Sequence, residues 1–84
     1  MNLTLGEKRV RTKFNPSSNS QVDLLKTVAA DFINKVNDIT IPHSPENANE
    51  ANVEERYGEF NRLKALAMMH IEDAAMWAVK AATI

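Results

Sequence analysis

Apolar residues recur at helical spacing over two stretches of the chain, and polar, proline-containing segments separate them. In the second half, Phe60, Leu63, Ala67, Ile71, Ala74, Ala78 and Ala81 fall in one narrow stripe at about 100° per residue, which predicts the core seam of a helix. Outside that stripe Leu66 and Trp77 form a second apolar ridge, Met69 and Met76 a third, and Met68, Ala75 and Val79 a fourth. A helix that is apolar nearly all round must be buried nearly all round. The stretch therefore predicts self-association, with Leu66, Met69, Met76 and Trp77 at the oligomer interface.

The earlier stretch repeats Leu25, Val28, Ala29, Phe32, Val36 and Ile39 at helical spacing behind Ser20-Gln21-Val22-Asp23, which resembles a capping box with Asp in place of Glu. This predicts a first helix from about Gln21 to about Asn37, within a span of 21–39. Pro42 and Pro45 cannot continue it and mark a turn over 40–51, where Ser44, Asn49 or Asn52 can cap a second helix over 52–82. Ahead of both lies a basic arm and loop, 1–20. Leu3, Leu5 and Val10 alternate there, Gly6 suggests a bend, and Pro16 holds Asn15 extended, so a short strand or extended arm is expected. The whole is one domain, 1–84. Its fold class is all-α, an antiparallel two-helix hairpin with a short extended N-terminal arm, oligomerised through the long C-terminal helix.

Size sharpens the expectation of an oligomer. A chain of 84 residues with no cysteine has no disulfide to supplement a small core. The cysteine-free composition suits a reducing cytoplasm, and neither a membrane span nor the apolar core of a signal peptide is visible. A soluble, unexported protein is expected. Net charge is −1, yet it is unevenly placed: Lys8, Arg9, Arg11 and Lys13 oppose only Glu7 near the start, while Glu46, Glu50, Glu54, Glu55 and Glu59 oppose only Arg56 before the last helix.

Candidate chemistry is sparse. His43 and His70 are the two histidines, and neither has the spacing of a metal site. His70 is expected to pack and hydrogen-bond to Asp73, one turn on. Glu72 and Asp73 point about 100° apart, which suits solvation and an intersubunit ion pair rather than a shared proton. No catalytic residue, metal or cofactor is called for, and the chain does not read as an enzyme. The positive signal is at the arm: Arg9, Arg11 and Lys13 alternate, then Phe14, Asn15 and a serine run follow ahead of a helix start. Cations for phosphates, a ring for stacking and polar donors together suit a nucleotide. A solvated basic edge, or pairing with the acidic 46–59 segment of a neighbour, accounts for the same residues. Duplex nucleic acid is not expected, because the net charge is negative and no broad basic face is present.

The order of these pieces resembles a family of phage hairpin proteins, the anti-CBASS and Thoeris anti-defence sponges. The likeness runs from about Gly6 to Thr83 apart from the turn, and is carried by Arg9-Val10-Arg11-Thr12-Lys13-Phe14-Asn15-Pro16, by Arg62-Leu63-Lys64-Ala65-Leu66-Ala67 and above all by Ile71-Glu72-Asp73-Ala74-Ala75-Met76-Trp77-Ala78. The resemblance implies a non-enzymatic protein in the cytoplasm of an infected bacterial host. Such a protein sequesters cyclic di- or trinucleotides, or cyclic ADP-ribose-like signals, in pockets between the subunits of a homo-oligomer, commonly a hexamer. It places one site at Phe14, Asn15, Pro16, Ser17, Ser18 and Lys26, and a possible second at Arg62, Lys64, Met69 and His70. Met69 and His70 stand where the family often has threonine and lysine, and Asn15 where it often has histidine, so ligand choice can differ. The alternative function is a non-catalytic hairpin that docks another protein through its exposed apolar ridge.

Overall fold

The computed structural model describes residues 2–12, 19–42 and 50–84, which form three helices: α1 Leu5–Val10, α2 Ser20–Asn37 and α3 Glu50–Ala82. No strand occurs among the described residues. Residues 13–18 and 43–49 lie outside them, and with them the expectations placed on Lys13, Phe14, Asn15, Pro16, Ser17, Ser18, His43, Ser44 and Asn49.

The extended arm is replaced by α1, and the reason is local as well as tertiary. Thr4 and Glu7 form a capping box: the Thr4 hydroxyl accepts from the Glu7 N–H at 3.1 Å, and the Glu7 carboxylate accepts from the Thr4 N–H at 2.8 Å. Arg11 ends the helix in the left-handed region, φ 58° and ψ 56°, with its N–H donating to the Glu7 carbonyl. A six-residue helix is far too short to persist alone. It is held by α2.

Gly6 is the point of attachment, inside the helix rather than at a bend. A Cβ there would stand 1.9 Å from the Ala30 carbonyl oxygen, so only glycine permits this approach. The Gly6 N–H donates to the Asn34 side-chain oxygen at 2.8 Å, and the Asn34 amide donates back to the Thr4 hydroxyl at 3.1 Å.

Asn19, not Ser20, caps α2. Its side-chain oxygen accepts from the N–H groups of Gln21 and Val22 at 2.8 and 3.3 Å, while its amide donates to the Ala82 carbonyl at 3.3 Å. One side chain thus serves the start of α2 and the end of α3. At the other end of α2, Lys64 donates to the carbonyls of Asn37 and Ile39 at 2.8 and 3.0 Å, satisfying acceptors that the helix cannot reach. Asn52 lies inside α3 and does not cap it.

Burial departs from the expected stripes. The α2 residues in the core are Val22, Ala29, Ala30, Ile33 and Val36, with Ile33 fully enclosed. Val28 and Phe32, members of the same apolar repeat, are 60% and 56% exposed. On α3 the core is met by Met68, with Ala67, Ile71 and Ala75 partly buried against it, while Leu63 and Ala74 are exposed. The two helices turn toward each other because α1 also needs a face of α2. Ala30 must lie under Gly6, and Val10 then completes the same cluster.

At 1.5 Å per residue α3 is about 50 Å long and α2 about half that, so the first turns of α3 overhang, tied back where Arg56 donates to the Pro42 carbonyl at 3.0 Å. The Cα extents are 55 × 29 × 13 Å.

Gly6→Ala is expected to lift α1 from α2 at a cost of about 1–3 kcal/mol, because the obstructing atom is backbone and cannot rotate away. Thermal unfolding of the variant checks this, and an unchanged midpoint would show that the close approach does not exist in solution.

Candidate anion site at the end of the first helix

The end of α1 gathers three of the cations singled out from the sequence. Arg9 and Arg11 lie at and just after its last turn, and Lys26 comes to them from α2, its ammonium donating to the Arg11 carbonyl at 3.0 Å. Lys26 is 7% exposed, a burial rare for lysine, and its stem runs along the α1–α2 contact. The left-handed turn at Arg11 aims that carbonyl inward at the lysine. Because α1 is helical, Arg9 and Arg11 do not share one side of an extended strand: Arg9 lies in its last turn and Arg11 caps its end.

Arg9 makes a contact that sequence reasoning missed. Its Nε donates to Glu72 in the centre of α3, so the carboxylate expected to pair between subunits pairs within the chain. That hydrogen bond raises the Arg9 pKa further above its ordinary value, against a smaller lowering from burial. The pairing of Arg9 with a carboxylate 63 residues away left no local signal. Asn34 left a faint one, as a polar residue between buried Ile33 and Val36.

The acidic stretch before α3 does not cancel this charge. Glu59 precedes Glu72 by thirteen positions on one continuous helix, about 20 Å, beyond the roughly 8 Å screening length of physiological salt. A neighbouring cleft of about 460 Å³ between α1 and α2 has the opposite character, with Glu7, Asp23 and Asp31 among its walls beside Thr4, Thr12 and Asn34. The buried Thr12 hydroxyl has no partner among the described residues.

The four residues of the possible second site are not brought together within one chain. Arg62 pairs with Glu59 at 3.0 Å on an exposed turn, and Lys64 faces the end of α2, with its ammonium also 5.1 Å from the Phe60 ring centre. The Arg62 hydrogen bond draws Glu59 below the usual carboxylate range, so its contribution is present above the unfolded carboxylate pKa and lost as pH falls through the lower folded one. Fully exposed, the pair contributes little. Met69 and His70 instead line a shallow pocket of about 500 Å³ with Leu66, Glu72, Asp73 and Met76. His70 is exposed there and makes no hydrogen bond to Asp73.

The apolar interface residues stand open. Trp77 is 57% exposed with the Lys80 ammonium 4.5 Å from its ring centre, and Met69 and Met76 are exposed near it. Around the helix from them, a trough of about 490 Å³ runs between α2 and α3, walled by Leu25, Val28 and Phe32 on one side and Ala67, Ala74 and Ala78 on the other.

Among the described residues no group of three or more His, Asp or Glu is placed to hold a metal ion, and no helix is long and apolar enough to cross a membrane. A family model described as Acb2/Tad1, hairpin domain, matches residues 7–83. No curated protein and no solved structure matches the chain.

Lys64→Met keeps the apolar stem and removes the donors to Asn37 and Ile39. It is expected to cost about 0.5–1.5 kcal/mol and to fray the end of α2. Hydrogen exchange at residues 37–41 reads the fraying, and protection equal to wild type would remove the capping role.

Proposed function

The chain belongs to the Acb2/Tad1 hairpin-domain family, the anti-CBASS and anti-Thoeris sponges, and from that membership we propose that it binds and sequesters a cyclic di- or trinucleotide, or a cyclic ADP-ribose-like signal, without cleaving it. The match over residues 7–83 carries this reading. The placement of Arg9 and Arg11 at the end of α1, with Lys26 bonded to the Arg11 carbonyl, supports it. Guanidinium groups bind phosphates by charge and by paired donors, and two copies of such an end, related by a two-fold axis, suit a ligand with two phosphates. The loop residues Phe14, Asn15, Pro16, Ser17 and Ser18 follow directly in sequence and are proposed to enclose the bases. Sequestration asks for tight binding and no chemistry, at nanomolar affinity about −12 kcal/mol. The proposed setting is the cytoplasm of an infected bacterium.

We read the helices α2 and α3 as an antiparallel hairpin that assembles, as a hexamer in keeping with the family. Support comes from two separate apolar faces, the α2–α3 trough and the ridge of Leu66, Met69, Met76 and Trp77. A single self-complementary patch closes a dimer; two distinct patches allow a larger closed assembly. The same exposed faces favour the second reading, a docking module for another protein.

Native mass spectrometry of the purified protein, alone and with a panel of cyclic di- and trinucleotides and cyclic ADP-ribose isomers, separates the readings. A multi-subunit species that gains whole ligand masses is expected. An oligomer that ignores the panel would favour the docking module. Phe32→Asp, which places a charge in the trough, is expected to lower the mass toward the monomer; an unchanged mass would exclude the trough as an interface. Arg11→Asn removes the guanidinium while keeping a residue tolerant of the left-handed turn. It is expected to weaken ligand binding about tenfold or more with assembly intact, and unaltered affinity would remove Arg11 from the site.

A further inference from the structure

Arg9 is gripped from one side only. Its Nε donates to the Glu72 carboxylate, while its two terminal amino groups have no hydrogen-bond partner among the described residues. The pair is partly covered, the side chains being 27% and 34% exposed, so both remain accessible to solvent. A guanidinium is planar, and with Nε engaged the edge formed by its two terminal amino groups still offers a phosphate two parallel donors.

We propose that Glu72 is a positioning residue for the anion site: it fixes Arg9 through Nε and so presents the terminal edge of the guanidinium, at the end of α1, as a preformed phosphate clamp. The inference rests on the anion-binding reading above but not on which ligand is bound. It gives a distinct job to the Ile71–Ala78 segment, whose Glu72 reaches from α3 to the basic end of α1. Charge alone makes the opposite forecast. A carboxylate beside the site repels an anion, so its removal strengthens binding unless the order it imposes on Arg9 outweighs that repulsion. A flexible arginine must lose its rotamer freedom on binding, whereas one already held loses less.

The test is a proton–nitrogen NMR titration of the full chain with inorganic pyrophosphate, following the guanidinium resonances of Arg9 and the backbone amide of Gly6. In the wild type the Arg9 resonances are expected to shift saturably. In Glu72→Ala the apparent affinity is expected to fall about tenfold, with the Gly6 amide unmoved, showing that α1 is still docked. Glu72→Gln keeps an acceptor for Nε and is expected to restore binding to near the wild-type value. The proposal is overturned if Arg9 does not respond to pyrophosphate, if Glu72→Ala binds as tightly as the wild type or more so, or if the Gly6 resonance is lost together with the response. The sponge reading fails separately. Wild type that ignores every cyclic nucleotide, yet loses its pyrophosphate response in Glu72→Ala, refutes sequestration and keeps the clamp. Unaltered cyclic-nucleotide binding in Glu72→Ala refutes the clamp and keeps sequestration.

Discussion

The three helices form a flat body, with extents of 55 × 29 × 13 Å, and bury too little of their apolar surface against one another. A stable domain needs two packed layers around a core, and here the core within one chain reduces to a thin line of contacts through Ala30, Ile33, Val36, Met68 and Val10. Ala67, Ile71 and Ala75 are only partly covered against it, and many larger apolar side chains among the described residues stand open. Val28, Phe32, Leu63 and Trp77 are each more than half exposed, far beyond the scattered surface leucine of an ordinary monomer. The proposed assembly follows from this shortage of cover more than from any single residue.

Within this body, the short first helix depends on a backbone approach that only Gly6 allows. That approach places Ala30 under α1, which in turn decides the rotation of α2 and therefore which of its apolar residues go inward. Asn34 holds the start of α1 and Glu72 holds its end, so a helix too short to be stable alone is fixed at both termini by two different partners. Through these two contacts the short helix is tied to both long ones.

Paired polar side chains at the helix ends complete the fold. Asn19 joins the start of α2 to the end of α3, and Lys64 joins α3 to the end of α2, each satisfying backbone groups that a helix leaves open. Lys64 and Arg62, close in sequence and both basic, therefore have different employment: one completes a neighbouring helix and the other pairs with Glu59 on its own. Proximity in sequence places charges near one another, but helical phase and local acceptors decide what each does.

Helical periodicity, the proline turn and the all-round apolar character of Phe60–Thr83 made two long helices and an excess of apolar surface legible in the residues alone, because those signals are local and repeat many times. The Trp-containing segment carried the family likeness that the match over residues 7–83 shows. What tertiary structure alone decided was the phase of each helix, the helical state of residues 5–10, and the pairing of Arg9 with Glu72. A stripe search ranks faces by apolarity; it took Leu63 for core and grouped Val28 and Phe32 with Ala29 and Val36 in one apolar repeat. The fold ranks them by fit, and the Gly6–Ala30 approach, which depends on a missing Cβ 24 positions from its neighbour, turned the most apolar faces outward.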